Sequence, residues 1–155
     1  YEVVMANMSS GLKNWLLASG SFVSAFHRGV IELYSGAPPA SADDPHPGAL
    51  LGTITTDGLP FTPGEADGGL RFLSIPQAFA VTKFFTDSWI ATITASGTVG
   101  SWRLKTNDNI SNTQSSRLPR LDGILGSEFN ELFLPQTSVT NGDNIPIQLV
   151  SLTFD

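Results

Sequence analysis

The chain has 155 residues, 41% of them hydrophobic and only 14% charged, with a formal net charge of −6 and no cysteine. That length suits one domain with a real core, and the acidic balance argues against a nucleic-acid partner, which needs a basic surface to displace counterions. Disulfide and thiol chemistry are excluded, and no apolar run approaches the ~20 residues of a membrane span.

From the start of the chain, Ser9-Ser10 offers a helix N-cap, after which Met8, Leu12, Trp15 and Leu16 fall on one helical face. Gly20 stops that helix, Ser21 caps a second short one with Phe22 and Phe26 as an i, i+4 pair, and Gly29 stands where a C-terminal cap belongs. The pattern predicts an N-terminal arm over residues 1–28 and a β domain over 29–155. No basic segment precedes an apolar core near Tyr1, so no signal peptide is expected there. The arm carries many large apolar side chains for its length, and Leu17 and Val23 lie off the stripe set by Leu12, Trp15 and Leu16. Leftover apolar surface marks an interaction site, which makes Met8, Trp15, Leu17, Phe22, Val23 and Phe26 the candidate partner-binding residues. The rival reading is an amphipathic lid packed on the chain's own sheet.

Residues 30–34 form the first strand, closed by Ser35-Gly36 and Pro38-Pro39. A polar loop at 40–48, a strand at 50–55 and an Asp57-Gly58 turn follow. Strands are predicted at 70–75, at 79–85, and at 89–95 and 98–104, the last two joined by Ser96-Gly97 as a tight hairpin. Alternation puts Trp102 and Leu104 in the core and Arg103 outside. Residues 105–119 are rich in Asn, Ser and Thr, a stretch long enough to be mobile or held by a partner. Asn141-Gly142-Asp143 is a turn, and 145–154 reads as one strand apolar on both faces, as between two layers. Seven or eight short strands with helix only at the front predict an all-β fold, an antiparallel β-sandwich or a jelly-roll-like arrangement.

Chemistry is sparse. His27, beside Arg28 at a helix end, reads as structural. Asp43-Asp44-Pro45-His46 gathers ligand-type groups, but its prolines suit a solvated loop better than a metal site. Asn107-Asp108-Asn109 lacks the glycine and the distal glutamate of a calcium-binding loop. No Gly-x-Ser-x-Gly elbow or phosphate-binding loop is present. The expectation is no enzyme: no catalytic residue, no cofactor and no metal. A sugar-binding sandwich would need an exposed aromatic platform, and Trp15, Trp89 and Trp102 all read as core.

Longer phrases are more specific. Val-Ile-Glu-Leu-Tyr-Ser-Gly-Ala-Pro-Pro-Ala-Ser-Ala-Asp from Val30, followed by Gly-Ala-Leu-Leu-Gly-Thr-Ile from Gly48, resembles a family of small virion structural proteins of tailed bacteriophages. Ser-Ser-Gly-Leu-Lys-Asn-Trp-Leu-Leu from Ser9 looks like the family's opening. Gly-Thr-Val-Gly-Ser-Trp-Arg-Leu from Gly97, Arg120-Leu121-Asp122-Gly123, and Thr-Ser-Val-Thr-Asn-Gly-Asp from Thr137 are similar to its later elements. The resemblance implies a virion subunit without chemical activity, a capsid decoration or cement protein, with a tail, fibre or connector component as the alternative. A carbohydrate-binding sandwich is a further alternative. Implied partners are other virion proteins and further copies of the chain, with assembly in the host cytoplasm and final location in the virion.

Overall fold

The computed structural model describes residues 6–75, 80–108, 111–125, 130–132, 134–148 and 150–153. A two-residue strand at Asn7–Met8, and not the helical face expected of Met8, comes first; two short helices, α1 (Ser10–Ala18) and α2 (Phe22–Ala25), follow, and then the other antiparallel strands of two sheets. From edge to edge the larger sheet holds β1 (Asn7–Met8), β8 (Arg120–Ile124), β7 (Gly97–Lys105), β2 (Val30–Ser35), β3 (Leu50–Thr56), β6 (Trp89–Ile93) and β11 (Asn144–Ile147). A further strand, β10 (Ser138–Val139), pairs the start of β7. The smaller sheet is β4 (Phe72–Ile75), β5 (Ala80–Lys83), β12 (Val150–Thr153) and β9 (Asn130–Leu132). The all-β expectation is met.

Local chemistry sets the helix starts. Ser9 caps α1 by accepting from Leu12 N at 3.1 Å, and Ser21 and Ser24 form a reciprocal capping box on α2. At the exit of α2 the left-handed residue is Arg28, at φ 61°, and not Gly29. Gly29 is needed for a different reason: a Cβ there would lie 2.2 Å from the Lys105 carbonyl oxygen.

Two connections differ from the sequence reading. Ser96-Gly97 does not close a hairpin, because β2 and β3 stand between β6 and β7. The link crosses their ends, with Thr94 N and Ala95 N both donating to Leu51 O. Strands β7, β2, β3 and β6 thereby adopt Greek-key order. Turn residues mark where the chain bends; strand partners are chosen by side-chain match, and Ile31 and Leu33 lie opposite Leu104 and Trp102. Second, 145–154 is two strands in two sheets, β11 pairing β6 and β12 pairing β5 and β9. The double-sided apolar pattern came from a change of sheet. Pro146 is tolerated because β11 is an edge strand. Leu149 and Phe154, part of that expected pattern, lie outside the described residues.

One face of the larger sheet carries Ile31, Leu33, Ile54, Trp89, Ala91, Ile93, Trp102, Leu104, Leu121, Ile145 and Ile147, all buried. They share a single core with Phe72, Val81, Leu132 and Leu152 of the smaller sheet and with Leu12, Phe22 and Phe26 of the N-terminal segment. A chain of rings links the layers. Phe22 lies 4.8 Å from Phe26 and 6.0 Å from Phe72, and Phe72 lies 5.2 Å from Trp89, edge to face. Each such ring contributes roughly 1.5–3 kcal/mol by burial, so residues 6–28 belong to the packing of the β domain.

Trp102 fits because its neighbour on β8 is Gly123. A Cβ at that position would sit 2.2 Å from the indole Cζ2. Gly123→Ala is therefore expected to destabilise the protein by about 1–3 kcal/mol through overpacking. Urea unfolding with Trp fluorescence checks it; an unchanged midpoint would show that the indole has room to move.

Candidate functional site: charged residues buried under two straps

The face of the larger sheet turned away from the core is built from residues that alternation assigns to solvent. Glu32 and Tyr34 come from β2, Ser101, Arg103 and Lys105 from β7, and Arg120 and Asp122 from β8. Register brings them side by side, with Arg103 between Glu32 and Asp122, Tyr34 beside Ser101, and Lys105 beside Arg120. Yet Arg103 and Arg120 are 0% exposed. Two irregular segments lie over this face as straps: 36–49 and, among the described residues, 106–108 with 111–119.

Arg103 forks onto Asp122, Nε to Oδ1 at 2.7 Å and Nη2 to Oδ2 at 2.8 Å, and Nη2 also donates to the Asp44 carbonyl at 2.9 Å. Lys105 pairs with Glu32 and donates to the Ser111 carbonyl at 3.1 Å. The Tyr34 hydroxyl donates to the other Glu32 oxygen at 2.8 Å. Arg120 donates to the carbonyls of Thr113 (2.7 Å) and Asp43 (3.3 Å). The cations of the sheet thus hold both straps by their backbone oxygens.

His46 closes the arrangement. Its ring stacks on Tyr34 at 3.9 Å between centroids. Nδ1 accepts from Gly48 N at 3.0 Å, which places the proton on Nε2, where it is donated to Ser101 Oγ at 2.8 Å. The straps are clipped together by Asn112, which accepts from His46 N at 2.7 Å and donates to His46 O at 3.1 Å. They are also tied to α1. Asp43 accepts from Ser10 N and Ser10 Oγ at 2.7 and 2.6 Å, and Ser9 Oγ accepts from Arg120 N at 2.8 Å.

Burial governs the electrostatics. It raises the Tyr34 phenol, reinforced by the Glu32 charge, and it lowers Lys105 against the opposing pull of Glu32. Arg120 is lowered by burial and by Arg103, and the same two causes hold the His46 imidazole below its usual range. Each charged head group contacts a counter-charge, a carbonyl or both, and the arrangement ties two loops to the sheet. Among the described residues, no group of three or more His, Cys, Asp or Glu is placed to hold a metal ion, and no helix is long and apolar enough to cross a membrane.

Several expectations change accordingly. Arg103 does face away from the core, but it is buried. The 43–46 segment is not a solvated loop: His46 is 3% exposed and Asp43 anchors α1. In the 105–119 stretch the Ser111 and Thr113 carbonyls are held by Lys105 and Arg120 of the chain's own sheet, while Asn109 and Ile110 lie outside the described residues. Of the candidate partner residues, Phe22 and Phe26 are spent on this chain's core, while Met8, Trp15 and Val23 pack half-buried against it. Leu17, by contrast, is 86% exposed, and Leu16 beside it is exposed as well. Sequence reasoning missed the network because alternation distinguishes two faces of a strand without saying what covers the second. The available signal was oppositely charged residues at alternate positions of Glu32, Arg103-Lys105 and Arg120-Asp122 in a chain so poor in charge.

Asp122→Ala leaves Arg103 buried and unpaired and is expected to cost about 3–5 kcal/mol, whereas the double replacement R103M/D122L recovers a good part of that loss. Denaturant midpoints of the three proteins decide it; equal losses would mean the strap carbonyls, not the carboxylate, are what Arg103 serves. His46 sets a pH dependence. Its folded-state pKa lies below the ordinary 6.5, so between the two values the unfolded chain binds more protons. The contribution is fully present above pH 6.5 and is lost as pH falls through the folded value. His46→Gln should flatten this part of the stability–pH curve, measured by thermal melts from pH 4.5 to 8.

No family model, curated protein or solved structure matches the chain.

Proposed function

We propose that the chain is a structural subunit of a tailed-bacteriophage particle, a capsid decoration or cement protein that acts through protein–protein contacts and performs no chemistry. One observation carries the reading. Residues within the phrases that resemble the virion family, Glu32 and Tyr34, Asp43, Arg103, and Arg120 with Asp122, meet in the buried network, where Lys105, His46 and Asn112 from outside the phrases join them. What such a phrase encodes is then a scaffold, two straps locked on a sheet, rather than a catalytic centre. We read the two sheets on one core as a β-sandwich of jelly-roll type, and the locked straps as a means of keeping its exposed loops rigid in an assembly. The exposed Leu16 and Leu17 on α1 supply an apolar contact for a capsid neighbour or a further copy of the chain.

Quantitative mass spectrometry of purified particles of the phage that encodes the chain tests the reading. Copies comparable in number to the major capsid protein support the head-surface role, and a single ring's worth would move the chain to the connector or tail. Absence from particles overturns the proposal. In the same particles Leu17→Asp, a surface change within about 0.5 kcal/mol in stability, should lower occupancy while the purified variant melts as the parent does.

A further inference from the structure

A groove of about 680 Å³ runs between α1, α2 and residues 106–108 and 117–119 of the strap, within the ~300–1,000 Å³ of small-molecule sites. Trp15 forms part of its wall. The indole is only half-buried, unlike Trp89 and Trp102, which are 1% exposed. Its Nε1–H is already donated to the Ser21 carbonyl at 3.1 Å, so what the ring offers a ligand is carbon surface.

Around that surface stand Asn14, His27, Asp108 and Arg117. The Asn14, His27 and Arg117 side chains make no hydrogen bond or ion pair to the described residues, and Asp108 uses only one carboxylate oxygen, accepting from Thr106 Oγ1 at 2.7 Å. Among the described residues, then, Asn14, His27, Arg117 and one Asp108 oxygen have no such partner, while the neighbouring residues of the same strap are firmly held. Asn107 donates to Arg28 O and Glu65 O at 2.8 and 2.7 Å, and the Thr113 carbonyl is bonded by Arg120. The rim is therefore positioned before any ligand arrives, which reduces the ordering cost of binding.

The chemistry narrows the ligand. A carbon face beside planar groups that both donate (Asn14, Arg117, His27) and accept (Asn14, Asp108) matches a ring with C–H bonds on its face and hydroxyls on its edge. A phosphate or other small anion would meet Asp108 with the wrong sign, and a wholly apolar ligand would leave the rim unpaired. We propose that this groove is a binding site for a neutral saccharide, with one pyranose ring laid on Trp15 and its hydroxyls bonded by Asn14, Asp108 and Arg117.

The test is a fluorescence titration of the intact chain with maltotriose, cellotriose and triacetylchitotriose, with sodium phosphate as the control. Because Trp89 and Trp102 are buried, a saturable emission change reports Trp15. At least one trisaccharide should bind with a dissociation constant of about a millimolar or tighter, and phosphate should give no response. Arg117→Ala and Asn14→Ala alter exposed side chains that have no hydrogen-bond or ion-pair partner among the described residues, so both should melt as the parent does while weakening that binding about tenfold. No saturable change with any of the three sugars, an equal response to phosphate, or unaltered affinity in both variants overturns the proposal.

Discussion

The fork between Arg103 and Asp122 is the contact on which the rest of the exposed half depends. It joins β7 to β8 across the face that has no apolar core to cover it, and its third bond reaches up to the Asp44 carbonyl. The straps cannot cover that face by hydrophobic burial. Segment 36–49 has no apolar side chain larger than proline, and segment 106–119 consists mainly of Asn, Ser and Thr. Irregular backbone lying on a protein surface still needs partners for the carbonyls it buries. Arg and Lys supply donors and no acceptors, which is why the residues under the straps are cations. Glu32 and Asp122 are there to balance them. Apolar residues of equal volume would fill the space but would take from the Asp44 and Thr113 carbonyls the donors that Arg103 and Arg120 supply.

The same network fixes the front of the chain. Ser9 Oγ accepts from Leu12 N inside α1 and from Arg120 N at the start of β8, and it donates to Leu118 O at 2.9 Å. One hydroxyl thus caps a helix and registers it against a strand more than a hundred residues away. Asp43 adds two bonds to Ser10 from the opposite strap. Apolar burial of Leu12, Phe22 and Phe26 holds the helices to the core; the Ser9 and Asp43 bonds decide where along it they sit.

Local signals were legible in the sequence wherever they are satisfied within a few residues. The caps at Ser9 and Ser21, the left-handed turns at Asp57-Gly58 and Gly142, and the inward alternation of Trp102 and Leu104 are all where the residues place them. Quantities that depend on what lies opposite were not. The Ser96-Gly97 link carries turn chemistry in either topology, and only the pairing of β7 with β2 decides that it is a crossover. Residues 145–154 have the composition of a double-faced strand whether they stay in one sheet or change sheets. Arg103 reads as exposed because nothing in its own strand shows that a strap from 36–49 will cover it. Trp15 erred the other way: helical spacing put it on the buried face, but the groove beside the strap leaves its ring half open.

The 106–119 strap has two sides with opposite fates, and that links stability to binding. Its carbonyls at Ser111 and Thr113 point down to Lys105 and Arg120, while Asp108 and Arg117 stand at the groove. Left to its composition the segment would sample many conformers, and ordering each residue costs roughly 1–2 kcal/mol of backbone entropy. The buried cations meet that cost during folding, so a ligand or a neighbouring subunit meets a surface already in place. Charges with no route to solvent therefore control how well the surface above them can recognise anything. Weakening Lys105 or Arg120 should affect binding at the groove rim through disorder of the strap, at a distance from every residue that touches the ligand.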